Sequence, residues 1–144
     1  MKRLATIGYE GASLGDVIGR LQAARIEAVI DVRAIAASRR PGFSKTMLAA
    51  SLAQAGIGYH HLRALGTPKL GREAARAGRT LEMRAIFEAH LEEPAAQAEL
   101  SRSGDIAKTS SAALPCYEAD ARRCHRAILA ERLAGAHAFE VIDL

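Results

Sequence analysis

Tryptophan is missing from this chain, and aromatic residues of all kinds make up only 4% of it. So few rings exclude an extended platform for stacking single-stranded nucleic acid. Cysteine is also sparse, with two residues, Cys116 and Cys124. That excludes a multi-disulfide scaffold. The N-terminus, Met1-Lys2-Arg3-Leu4, lacks the apolar core and small-residue cleavage site of an export leader, so both cysteines are expected to be reduced thiols in a cytoplasmic protein. No apolar run approaches the roughly 18 residues needed to span a membrane. No glycine-rich phosphate loop is present: Gly8-Tyr9-Glu10-Gly11 comes nearest and lacks the dinucleotide spacing. Lysine is scarce too, four residues against sixteen arginines, within a net charge of +4. This balance permits a nucleic-acid partner without requiring one. The arginine excess is what a GC-rich, alanine-rich coding sequence produces, and it also offers guanidinium groups that can fork onto carboxylate or phosphate.

The chain does contain regularly alternating elements. Its 144 residues suit one domain, 1–144, with one real core. Leu4–Gly8 reads as a strand, Ser13 as the cap of a helix striped by Leu14, Val17, Ile18 and Leu21, and Ala28–Val32 as a strand buried on both faces. A loop from Arg33 to Phe43 precedes a helix capped by Ser44, carrying Met47, Leu48, Leu52 and Ala55, and stopped by Gly56. Tyr59–Leu62 reads as a third strand and Leu65-Gly66-Thr67-Pro68 as turn material. Helices are expected at Gly71–Ala77, at Thr80–Leu91 with Leu81, Ile86, Phe87 and His90 inward, and from Pro94 to about Arg102, where Ser103-Gly104-Asp105 should break the run. Ser111–Cys116 and Ala138–Ile142 complete five strands, with a helix from Arg122 to Leu133 between them. Strands alternating with helices predict an α/β, Rossmann-like three-layer sandwich with a mostly parallel sheet, order 3-2-1-4-5. Ligands of such sheets lie outside the carboxyl ends of the strands. Here those ends carry Tyr9, Asp31, Arg33, Cys116 and Glu118.

The densest chemistry lies between Leu114 and Arg126, which holds both cysteines, His125, two acids and three arginines. Cys116 ends a buried strand and enters a turn before a helix, a position that can activate a thiol or simply bury a small apolar side chain. Glu118 can act as general base or pair with Arg33, Arg122 or Arg126. Asp120 suits the N-cap of the last helix. Cys124 shares a helical face with Ile128, which favours the core. Arg122, His125 and Arg126 share another, an anion clamp if it faces the crevice. The loop Arg39-Arg40-Pro41-Gly42-Phe43 could grip phosphates and stack a base, or pack Phe43 on the following helix. A metal on Cys116, Cys124 and His125 with Glu118 or His60 is weighed and set aside, because Cys-x7-Cys-His has no second close pair.

Thr6-Ile7-Gly8-Tyr9, Asp31-Val32-Arg33, Ser38-Arg39-Arg40-Pro41-Gly42-Phe43, Leu65-Gly66-Thr67-Pro68, Cys116-x-Glu118 and Cys124-His125-Arg126 together resemble the bacterial family called domain of unknown function 488. The resemblance covers nearly the whole chain in order, least between Lys69 and Thr109. It implies a small α/β domain and names no reaction. The family's Cys-x-Glu and Cys-His-Arg elements fall on Cys116, Glu118, Cys124, His125 and Arg126.

These observations support an enzyme acting on a small anionic or nucleotide-like substrate at the carboxyl edge of the sheet. The candidates for chemistry are Glu118, Cys116 and His125. Tyr9, Asp31, Arg33, Arg39, Arg40 and Arg126 are the candidates for substrate binding. No metal or cofactor is expected. One alternative is a binding module for nucleic acid or protein without catalysis. The other is a thiol enzyme using Cys116, like a sulfurtransferase or a phosphatase. Cys116 to Arg122 fits the Cys-x5-Arg phosphatase spacing, but Glu118 and Asp120 would repel an anion from that loop.

Overall fold

In a computed structural model, which describes residues 2–118 and 124–144, five parallel strands form one sheet. The elements are β1 Arg3–Gly8, α1 Leu14–Ala23, β2 Ala28–Asp31, α2 Lys45–Gln54, β3 Gly58–His61, α3 Lys69–Arg76, α4 Thr80–Leu91, α5 Pro94–Thr109, β4 Ala112–Cys116, α6 His125–His137 and β5 Glu140–Asp143. A single 3-10 turn, Arg63–Leu65, follows β3.

The apolar alternation of the strands builds two cores, one on each side of the sheet. Ala5, Ile7, Val29 and Ala113 face α1 and α2, meeting Val17, Leu21, Leu48 and Leu52. Leu4, Ile30, Ala112 and Leu114 face the other helices, meeting Phe87, Leu91, Ile128, Leu129 and Leu133. This is the helix–sheet–helix layering that continuous apolar strands demand.

The strand order is β3-β2-β4-β1-β5. The two central strands are thus exchanged relative to the order read from sequence: β4 lies between β2 and β1. Its sequence fits the middle of the sheet, since all five of its residues are buried. Only Pro115 breaks the ladder. It pairs with Ile7 of β1, while β4 pairs with β2 only through Ala28–Ala112 and Val29–Ala113. In a parallel strand successive residues bond to opposite neighbours. The Cys116 carbonyl accepts from Tyr9 N–H on the β1 side, so Pro115 presents its missing N–H to β2. Pairing between β2 and β4 therefore ends early, and their carboxyl ends part.

Local readings differ from the structure in several further places. Helix α5 runs through Ser103-Gly104-Asp105 to Thr109. Ser103 is buried and returns its hydroxyl to the Leu100 carbonyl at 2.7 Å. Gly104 is a packing residue, since a Cβ there would lie 2.5 Å from the His137 ring of α6. Helix α4 turns Met83, Phe87 and Leu91 inward, whereas Leu81 is 84% exposed. Met47 is likewise exposed. Ser44 precedes α2 without capping it; its hydroxyl instead accepts from the Ser38 N–H and donates to the Ser38 carbonyl, closing the loop on itself.

Among the described residues no helix is long and apolar enough to cross a membrane.

Candidate functional site

Beyond the last paired residues of β2 and β4, a side chain from α6 reaches the backbone that follows β2. His125, the first residue of that helix, donates from Nε2 to the carbonyl of Val32 at 2.8 Å. A carbonyl only accepts, so Nε2 carries the proton and Nδ1 is a bare lone pair in the neutral ring. That lone pair faces the Sγ atoms of Cys116, at 3.8 Å, and of Cys124, at 3.5 Å. The ring is buried and packs edge-on against Phe87. Burial, with Arg126 nearby, pushes its pKa down to about 4, against the pull of its bond to Val32. At neutral pH it is an uncharged acceptor.

Cys116 and Cys124 are joined as a disulfide, with Cα atoms 7.0 Å apart. The expectation of two reduced, separate thiols is corrected by this geometry. The end of β4 and the residue before α6 return to the same place, so eight positions of chain close a loop. Cys124 is buried, as its spacing from Ile128 suggests, but it sits ahead of α6 rather than within it. Oε2 of Glu118 lies 3.2 Å from Cys116 Sγ. In the reduced protein this pair is a thiol hydrogen bond; in the disulfide it is a contact. Arg126, also buried, donates to the Glu118 carbonyl at 2.5 Å. Thus Cys116, Glu118, Cys124, His125 and Arg126 gather at one place.

A second group lies on the α1–α2 side of the sheet. Asp31 is buried and accepts four hydrogen bonds. Oδ1 takes Arg33 Nε at 2.9 Å and the Arg33 backbone N–H at 3.2 Å. Oδ2 takes Arg33 Nη2 at 2.7 Å and the Tyr59 hydroxyl at 2.5 Å. Nη1 of Arg33 continues to the Phe43 carbonyl at 2.7 Å and the Tyr9 hydroxyl at 3.3 Å. Burial alone would raise the Asp31 pKa, but the guanidinium outweighs it and holds the carboxylate ionised. The same pairing outweighs burial at Arg33 and raises its pKa. Burial and Asp31 likewise raise that of Tyr59.

The remaining sequence candidates are dispersed. Tyr9 is buried, with its ring stacked on Phe43 at 4.3 Å, so Phe43 is a core ring rather than an exposed one. Arg40 donates to the Ala12 carbonyl at 2.5 Å, and Arg39 is exposed on the same loop. Of the two strand histidines, His61 turns toward the site, its Nε2 2.9 Å from the Arg33 carbonyl. Asp120, Arg122 and Arg123 lie outside the described residues.

The profile of the family described as Domain of unknown function DUF488 matches residues 13–133. The chain belongs to this family. The match spans α1 through most of α6 and so includes every residue of the cysteine–histidine cluster. No curated protein matches the chain, and no solved structure does. Membership in DUF488 therefore identifies the domain and leaves its chemistry to be argued from the site.

Two features at this edge had little trace in the sequence. Tyr59 reaches the Asp31 carboxylate from the neighbouring strand, a partner that only β2–β3 register reveals. A cleft of about 390 Å³ lies beside the edge, lined by Arg63, Thr67, Arg72, His90 and Glu99 among others. Its floor depends on Leu65-Gly66-Thr67-Pro68: a Cβ at Gly66 would lie 2.1 Å from the Ala34 backbone nitrogen. The composition of that segment pointed to a turn, and its contact with the loop after β2 was not readable.

Proposed function

We propose that this DUF488 protein is a thiol-dependent redox protein in which Cys116 and Cys124 pass between dithiol and disulfide. The observation that carries this reading is the position of His125 Nδ1, bare and facing both sulfurs. In the dithiol state it accepts a hydrogen bond from either S–H, while Glu118 can accept from Cys116. Its depressed basicity makes it an acceptor that orients the thiols, not a base strong enough to hold their protons.

Both cysteines are buried, but Cys124 is the one that lines a cleft of about 150 Å³, with Thr80, Met83, Arg84 and Glu131 among others. We therefore assign first attack to Cys124 and resolution to Cys116. The co-reactant is a low-molecular-weight disulfide. Cys124 as thiolate attacks one of its sulfurs, releasing the other as a thiolate and forming a mixed disulfide. Cys116, also deprotonated, attacks Cys124 Sγ and releases the second thiolate. The protein loses two electrons and its two thiol protons, and the small disulfide becomes two thiols.

The test is trapping. Oxidised glutathione added to reduced Cys116→Ser should leave a stable adduct on Cys124, read by intact mass. Cys124→Ser should give far less. If neither variant is modified while both are folded, the reading fails.

A second reading is favoured by the larger cleft, whose lining arginines, Arg63 and Arg72, suit a small anionic ligand. Inorganic phosphate or a mononucleotide should then raise the melting midpoint of the wild type and not of Arg63→Ala. An equal response from both proteins excludes that cleft as the anion site.

A further inference from the structure

We propose that the reduced protein binds one zinc ion through Cys116 Sγ, Cys124 Sγ and His125 Nδ1, with Glu118 as the fourth ligand. The inference rests on the dithiol state proposed above, because the disulfide and the metal compete for the same sulfurs.

The donor atoms of the two cysteines and the histidine all lie within 4.8 Å of one another, and all three residues are buried. Around tetrahedral zinc, with bonds of ~2.0–2.1 Å to nitrogen and ~2.3 Å to sulfur, a nitrogen and a sulfur sit ~3.6 Å apart. Nδ1 already stands 3.8 and 3.5 Å from the two sulfurs. Among these three donors only the sulfurs must separate once the disulfide is reduced, while the Glu118 carboxylate must turn in to complete the set. The histidine is prepared as a ligand: its other nitrogen is fixed by a backbone carbonyl, the usual outer partner of a metal-bound imidazole.

Glu118 Oε2, 3.2 Å from Cys116 Sγ, is the nearest further oxygen donor among the described contacts of the cluster. Two thiolates and one carboxylate exceed the charge of a divalent ion by one, and the buried Arg126, which donates to the Glu118 backbone carbonyl, places a guanidinium near this cluster. Sulfur and imidazole donors select zinc over magnesium or calcium. Binding replaces two S–H bonds by two S–Zn bonds and releases two protons, so affinity rises with pH. Oxidation of the pair to the disulfide expels the ion, which makes metal release a readout of redox state.

The experiment uses the whole 144-residue chain reduced under argon and freed of reductant. Cobalt(II) serves as a spectroscopic probe, and zinc as its competitor. One equivalent of cobalt per chain should produce thiolate-to-cobalt charge-transfer absorption and tetrahedral visible bands, and zinc should abolish both. Cys116→Ser and Cys124→Ser should each weaken binding by about 100-fold or more. Glu118→Gln should weaken it about tenfold, within the range for a ligand or its close support, while the charge-transfer band stays. The diamide-oxidised protein should bind none. For wild type alone, where folding of a variant is no concern, zinc should slow alkylation of both cysteines at least tenfold.

Cobalt binding without the charge-transfer band, binding that persists in the oxidised protein, or alkylation unaffected by zinc would overturn the site. If the thiols reduce and reoxidise normally yet take up no metal, this inference fails and the redox reading stands. If the cysteines can be neither reduced nor oxidised, the redox reading itself has failed.

Discussion

His125 and Val32 are joined across the sheet by a hydrogen bond of 2.8 Å, from a ring nitrogen at the start of α6 to the backbone carbonyl just beyond β2. That bond lies beyond the last paired positions of β2 and β4. It also fixes which nitrogen of the ring faces the cysteines. One interaction therefore ties the fold to the site.

Replacing His125 by Ala should remove both roles. A buried ring is lost, and the Val32 carbonyl is left without its partner. Together these should cost about 3 kcal/mol of stability, a large but ordinary value for a buried hydrogen-bonded side chain. Urea denaturation of the oxidised wild type and variant measures it; a change under about 0.5 kcal/mol would contradict the assignment.

Acid should destabilise the protein over a defined window. His125 has a folded pKa of about 4 against an ordinary 6.5. Between those values the unfolded chain binds a proton that the folded one does not. Stability should therefore fall as pH drops from about 6.5 to about 4, by something of the order of 3 kcal/mol. Asp31, whose folded pKa is lowered, adds a further loss below its ordinary value of 3.8. Denaturant midpoints across this range should show the slope in wild type and a shallower one above pH 4 in His125→Ala.

The Asp31–Arg33 pair is predicted to brace the edge. Every acceptor position of the Asp31 carboxylate is used within the protein, two of them by the guanidinium itself. Asp31→Asn leaves a buried guanidinium without its counter-charge and should cost about 3–5 kcal/mol. Arg33→Lys cannot reproduce the fork and should cost about 1–3 kcal/mol. Thermal or chemical melts decide; two near-neutral results would show that the pair contributes little to folding.

Much of this edge was legible in the sequence, and the failures share a cause. Cys116, Glu118, His125 and Arg126 could be grouped because they lie within a few positions of one another. Asp31 and Arg33 could be placed at a strand end by the apolar run before them. The brace partners Tyr59 and Phe43 could not, because register and a loop path decide them. The cysteine pairing was not legible because the expectation of reduced thiols rests on the lack of an export leader, which says nothing of how close the end of β4 comes to the residue before α6. Likewise the exchanged order of β1 and β4 depends on long crossovers, which leave no local periodicity. Gly104 was misread because a glycine that breaks a helix and one that admits a neighbouring ring look identical in one dimension.

Reduction alone should lower stability. The disulfide closes a loop between positions eight apart, and releasing it returns about 2–3 kcal/mol of chain entropy to the unfolded state. Melting with and without a reductant, in the presence of a chelator, should show a lower midpoint for the reduced protein. Cys124→Ser should show no such difference.

The most direct measurement equilibrates the protein in thiol–disulfide buffers of graded ratio, quenches with an alkylating reagent and reads intact mass. If Cys116 and Cys124 form a redox pair, the chain should pass between two labels and none in a single reversible two-electron transition, with the one-label species remaining minor. Two labels at every buffer ratio, or none even under strong reductant with the protein unfolded only at the quench, would contradict the account.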